Sequence, residues 1–129
     1  MVKKIIITDK APLPIGSYNQ GVVSNGFVFT AGQVAIDPIT SKLIEGSFQD
    51  RVNQVFDNLE NILIAAGSDL SNVVKFTVFL TDMNNFADIN EVFNSRLKED
   101  TAPARSLVAV AGLPAGTDVE IECVAVINE

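Results

Sequence analysis

Arg105, Glu120 and Asn90 are the residues of this 129-residue chain that their local pattern leaves unexplained. Arg105 alternates with Leu107, Ala109 and Ala111, so a guanidinium shares one strand face with apolar side chains. A cation in that setting needs a planar anion, either Glu120 or Glu122 of this chain or the carboxylate of a ligand. Glu120 and Glu122 in turn share a strand face with Val124 and Val126. A carboxylate beside apolar surface finds a cation or holds its proton to higher pH, and either condition suits a general base; a solvated strand-edge glutamate is the plain alternative. Asn90 falls at the margin of a helical apolar stripe, where its amide must be hydrogen-bonded, to fasten a loop or to line a cleft.

Composition removes several other chemistries. Histidine is absent, which excludes imidazole acid-base catalysis, His-activated nucleophiles and His metal ligands together. Cys123, the single cysteine, cannot form an intrachain disulfide or a thiolate cage and reads as a small core residue. No alternating acidic run suggests a calcium loop, so no metal is expected. Gly16 to Gly21 has the glycine spacing of a phosphate loop, but Val22-Val23 stand where Lys and Ser/Thr are required. Nine scattered Lys and Arg against sixteen Asp and Glu give a net charge of −7 and no basic face for nucleic acid. The apolar run after Lys3-Lys4 ends at Ile7, short of the roughly 7–15 residues of a signal peptide, and nothing approaches the roughly 18 of a membrane span. A cytoplasmic protein without membrane attachment is the expectation, or a mitochondrial one if a presequence has been removed.

The elements that must position these residues follow from periodicity. Residues 2–8 predict a strand, and Tyr18–Val23 and Phe27–Gly32 predict a hairpin about Asn25-Gly26. Asp37 to Thr40 predicts a turn. Ser47 and Asp50 have the form of a capping box for a helix from Phe48 to Ala66, ended by Gly67. Val52, Val55, Phe56, Leu59, Ile62, Leu63 and Ala66 make its apolar stripe, with Arg51, Asn53, Asp57, Asn58 and Glu60 opposite. Residues 73–80 predict a strand apolar on both sides, and Met83–Lys98 a second helix with Phe86, Ile89, Phe93 and Leu97 facing inward. Strands at 104–111 and 118–127 complete one domain over 1–129, in the order β-β-β-α-β-α-β-β. The class is α+β: a mixed sheet with two helices packed on one face. The other face, too apolar for water, is expected to be buried between subunits.

Several segments together resemble a known family. Ala11-Pro12 with Ile15-Gly16-Ser17-Tyr18-Asn19-Gln20-Gly21, then Thr30-Ala31-Gly32-Gln33, Pro103-Ala104-Arg105-Ser106, Leu113-Pro114 and Val119-Glu120-Ile121-Glu122 are similar to the signature segments of the Rid (YjgF) proteins, specifically the RidA branch of imine deaminases. The resemblance implies a chorismate-mutase-like homotrimer with clefts between subunits and no cofactor. It implies hydrolysis of 2-imino or enamine acids, such as 2-aminoacrylate and 2-iminobutanoate, to 2-keto acids and ammonia. By position, Arg105 would hold the substrate carboxylate and Glu120 would activate water. Tyr18 and Asn90 would line the cleft, and Gly32 would bring backbone close to the ligand. Two positions depart from the pattern: Leu107 replaces a cysteine of many relatives, leaving only backbone to contact the ligand, and Ala31 replaces a serine of several, removing one hydrogen bond. The partners implied are small-molecule 2-imino or 2-keto acids and further copies of the chain. Two rival activities come with the family: a keto-acid-binding or chaperone-like trimer, which would not need Glu120, and RNA cleavage with translation inhibition, which the acidic charge opposes.

Overall fold

In the computed structural model, which describes residues 2–128, Asn25 and Gly26 both take positive φ, 53° and 80°. That geometry closes a two-residue turn between β2 (Gly21–Ser24) and β3 (Phe27–Thr30), as the Asn-Gly pair predicts. β1 (Lys4–Ile6) pairs antiparallel with β2. The hairpin strands are shorter than expected, and Tyr18 lies in the irregular segment before β2 rather than within it.

β4 (Ile36–Asp37) and β5 (Lys42–Leu43) form a small separate ladder around the expected turn. Each contributes only two residues, too few for alternation to show in the sequence. α1 (Phe48–Ala65) begins at the full capping box: the Ser47 hydroxyl accepts from the Asp50 amide and the Asp50 carboxylate from the Ser47 amide. β6 (Val73–Leu80), α2 (Phe86–Arg96), β7 (Ala104–Ala109) and β8 (Val119–Val126) complete the chain. The six-stranded sheet runs β1-β2-β3-β8-β6-β7, and β6 with β7 is its parallel pair, joined through α2.

Phe56 of α1, Phe76 of β6 and Phe93 of α2 meet with ring centroids 5.0–5.6 Å apart. This trio fixes both helices on the same sheet face, and truncating one such ring costs roughly 3–5 kcal/mol. The alternation on β8 matches expectation: Val119, Ile121, Cys123 and Ala125 are buried, and Glu120, Glu122, Val124 and Val126 occupy the other face.

Three expectations are corrected. Asn58 does not lie on a solvated face; it is fully buried, its Nδ2 donating to the carbonyls of Val34 (3.2 Å) and Ile36 (2.9 Å). An amide there serves as donor to two carbonyls of the segment that leads into β4 and passes over α1. On the second helix, residues 83–85 form a 3-10 turn, α2 starts only at Phe86, and Leu97 is already extended. Phe86 is therefore 43% exposed, and Val92 takes a buried place beside Ile89 and Phe93. β6 is not covered on both sides within one chain: Phe76, Val78 and Leu80 are buried while Thr77 and Phe79 are half-buried. Phe27, Phe29 and Val108 stand exposed on that same open, apolar face.

Candidate functional site

Arg105 sits on the edge strand β7, opposite Phe76 of β6, which in turn pairs with Cys123 of β8. Paired residues share a face, so the guanidinium emerges on the helix-covered side. There α2 receives it. Asn90 Oδ1 accepts from Nη2 at 2.9 Å, and the guanidinium carbon lies 4.9 Å from the Phe93 ring centre and 5.8 Å from that of Phe86. Burial pushes the Arg105 pKa down from its ordinary value, although the group stays cationic at any physiological pH. Among the described residues no carboxylate lies within 4.0 Å of it, and neither Glu120 nor Glu122 is its partner. An open groove of about 520 Å³ borders the guanidinium, with Phe93, Leu97, Lys98, Ala102 and Pro103 among its walls.

Glu120 stands elsewhere. It is opposite Phe79, which pairs with Val108, and these side chains share the sheet face away from the helices. Local irregularity in β3 shapes its surroundings. The Thr30 hydroxyl accepts from the Cys123 amide (3.0 Å), and Gln33 bridges Ile121 through two backbone bonds (2.8 and 3.0 Å). Ala31 and Gly32 thus oppose Glu122 alone, two residues against one, which is a bulge. The bulge brings Gly32 against Glu120: a Cβ on Gly32 would lie 2.8 Å from Glu120 Cδ and 2.9 Å from Oε2. Glycine is required here to leave room for a carboxyl group. Desolvation, with a smaller contribution from the neighbouring Glu122 charge, raises the Glu120 pKa.

The remaining candidates fall around these two centres. Asn90 joins Arg105, whereas Gly32 and Ala31 join Glu120. The amide of Ala31 donates to the Gln20 carbonyl at 2.9 Å, so the segment carrying Tyr18 runs directly into the bulge. That segment is tied down by the buried Gln20 side chain: Oε1 accepts from the Thr8 amide (2.7 Å), and Nε2 lies 2.8–3.1 Å from the carbonyls of Thr8, Ala11 and Pro12. Tyr18 itself is 48% exposed, with its hydroxyl 3.5 Å from the Ile15 amide. Leu107 shares the Arg105 face but packs against the core, opposite Val78. Cys123 is buried and its thiol is pushed up to about 12, so it is no substitute for the cysteine replaced at 107. Gln20 and Phe86 went unnoticed as site supports. Phe86 could have been found, since it precedes Asn90 by one helical turn and Phe93 by two. Among the described residues no cluster of His, Cys, Asp or Glu could hold a metal ion, and no helix is long and apolar enough to cross a membrane.

Comparison with known proteins identifies the family and the fold. Residues 8–127 match the family model described as endoribonuclease L-PSP. A RutC family protein of Synechocystis is 52% identical over 128 residues, 98% of each chain. A 2-iminobutanoate/2-iminopropanoate deaminase of Mus musculus is 43% identical over 126 residues, covering 98% of this chain and 93% of that one. The crystal structure of RidA from an Antarctic Psychrobacter superposes with a TM-score of 0.92 at 48% identity, over 96% of this chain and 99% of that one. A mixed α+β fold with these two helices is thus that of Rid proteins. The chain belongs to the Rid/YjgF family.

Proposed function

We propose that this protein is a 2-imino acid deaminase whose active site is shared between copies of the chain. The observation that carries the reading is Arg105: a half-buried cation, oriented by Asn90, without a carboxylate partner among the described residues. Such a group is complementary to a ligand carboxylate, which it can bind through two parallel N–H donors. Glu120 supplies the second function, because a carboxyl group with a raised pKa suits proton transfer near neutrality.

One subunit cannot bring the two together. Arg105 and Glu120 are separated by two strand spacings and three residues along the strands, roughly 14 Å at about 4.8 Å per strand and 3.3 Å per residue, and they emerge on opposite faces. A three- or four-carbon acid spans less than half of that. The open apolar sheet face around Phe27, Phe29 and Val108 supports the same conclusion, since exposed surface of this kind marks an interface. In the proposed homotrimer, Arg105 of one copy faces Glu120, Gly32 and Tyr18 of the next, giving one cleft per subunit.

The reaction is R–C(=NH2⁺)–COO⁻ + H2O → R–C(=O)–COO⁻ + NH4⁺. Arg105 holds the carboxylate; Glu120 takes a proton from a water as its oxygen bonds to the imine carbon. That proton passes to nitrogen; as the C–N bond breaks, the new hydroxyl gives its proton to Glu120 and becomes the ketone, and the departing ammonia takes that proton and leaves as NH4⁺. The iminium is already electrophilic, so positioning one water and one base supplies most of what is needed. The mouse relative's name and its 43% identity support this assignment. Simple keto-acid binding would use Arg105 and leave the Glu120–Gly32 arrangement without purpose, and the charge of −7 opposes RNA as substrate.

The test generates 2-iminobutanoate in situ from threonine with a dehydratase and follows 2-ketobutyrate while semicarbazide competes for the imine. The protein should restore keto-acid formation, and Arg105→Ala and Glu120→Ala should not. Folded wild-type protein without effect contradicts the assignment.

A further inference from the structure

Among the described residues Phe86 pairs with no other aromatic ring. It is the first residue of α2, 43% exposed, and stands outside the hydrophobic core. Its ring nevertheless lies 5.8 Å from the Arg105 guanidinium carbon. With Asn90 one turn on and Phe93 two turns on, a single stripe of α2 presents ring, amide and ring to one guanidinium. Asn90 fixes the direction of one N–H. Phe93 is held by the core whatever Arg105 does. Phe86 is the exposed member of the three, and among the described residues Arg105 is the cation that meets its ring.

We propose that Phe86 is a positioning residue that acts on substrate through Arg105; the inference rests on the deaminase reading above. The negative face of an aromatic ring attracts a guanidinium and limits the orientations open to it. The ring also excludes water from part of the cation, which strengthens pairing with an incoming carboxylate. Both effects act on how the carboxylate is held and leave the attack of water at the imine carbon untouched. Phe86 should therefore govern KM and not kcat.

The experiment measures kcat and KM for 2-iminobutanoate, the Kd of 2-ketobutyrate by calorimetry and the melting temperature for Phe86→Ala, Phe86→Leu and Phe86→Tyr. Phe86→Ala is expected to raise KM and Kd about three- to tenfold, with kcat within about twofold of wild type and an unchanged melting temperature. Phe86→Tyr, which keeps the ring, should stay within about twofold on every measure. Phe86→Leu, which keeps bulk without a π face, should weaken binding in the same direction and carries the test if the alanine variant does not fold. Unchanged KM and Kd in Phe86→Ala, or a tyrosine variant as weak as alanine, overturns the inference. A wild-type protein that binds 2-ketobutyrate without hydrolysing imine defeats the deaminase reading alone and leaves Phe86 to be decided by Kd. One that does neither overturns both.

Discussion

Arg105 and Glu120 occupy opposite faces of one sheet, with β6 between their strands. The relationship follows from register: Arg105 aligns with Phe76 and Cys123, whereas Glu120 aligns with Phe79 and Val108. Period-2 alternation then assigns odd steps to one side and even steps to the other. A cation on the helix side of an edge strand and a base on the bare side do not meet within one copy, and the proposed function has them meet across a boundary between two. In the proposed assembly the exposed apolar face gains a purpose, since burying it would complete the site.

Replacing Arg105 by Ala should raise KM for 2-iminobutanoate by roughly 30- to 150-fold, the equivalent of about 2–3 kcal/mol for lost charge-assisted hydrogen bonds. Arg105→Lys should recover little, because an ammonium cannot match two carboxylate oxygens from one plane. Steady-state kinetics measures both variants, and a lysine variant with wild-type KM would remove the bidentate role.

The raised pKa of Glu120 fixes the sign of two pH effects. Turnover requires the carboxylate and should fall as pH drops through that raised value; Glu122→Gln removes one cause of the rise and should move this acid limb to lower pH. For stability, a carboxyl that binds its proton more tightly in the folded than in the unfolded state opposes folding above its folded pKa, and the effect vanishes as pH falls below its unfolded value. Glu120→Gln should therefore melt higher than wild type at pH 7 while losing about 10²- to 10⁴-fold in kcat. A pH-rate profile and a melting curve read the two, and a lower melting point for Glu120→Gln would contradict the stability effect.

Gly32→Ala places a methyl where Glu120 Cδ and Oε2 now lie, 2.8 and 2.9 Å from the added carbon. The flexible end of Glu120 can swing aside, so the fold should survive with its melting temperature within about 3 °C, while kcat falls at least tenfold through a misplaced base. Keto-acid affinity, measured by calorimetry, should be unaffected if Gly32 serves Glu120.

Asn58→Ala removes the buried side-chain donor to the Val34 and Ile36 carbonyls, of which Val34 keeps the Ile36 amide at 2.8 Å. The expected cost is about 2 kcal/mol, a fall of roughly 6–10 °C in melting temperature for a domain of this size. A shift below about 2 °C would show that the segment over α1 finds other partners.

What the sequence discloses of this fold is the part set by local chemistry. Ser47 with Asp50, Asn25 with Gly26 and the alternation along β8 each appear where composition alone puts them. Arg105, Glu120 and Asn90 were visible because each violates its own pattern. Phe86 was misread as core because it keeps the helical phase of Ile89 and Phe93, but it is the first residue of α2 and 43% exposed, and phase alone does not say how far along a helix the core extends. Asn58 was misread because its partners, Val34 and Ile36, are more than twenty residues away. No local period encodes such a contact. Nor could spacing show that Arg105 and Glu120 part company, since the face of each depends on which strands lie beside them.

The most direct test of a site shared between copies is subunit mixing. Arg105→Ala and Glu120→Ala chains, each far below wild type at substrate concentrations under the wild-type KM, are unfolded, combined in equal amounts and refolded together. If every site takes its arginine from one copy and its glutamate from the next, random assembly leaves intact both residues in about a quarter of the sites, and about a quarter of wild-type activity should return. Activity no higher than that of either variant alone, in mixtures shown to contain both chains in one assembly, would contradict the shared site.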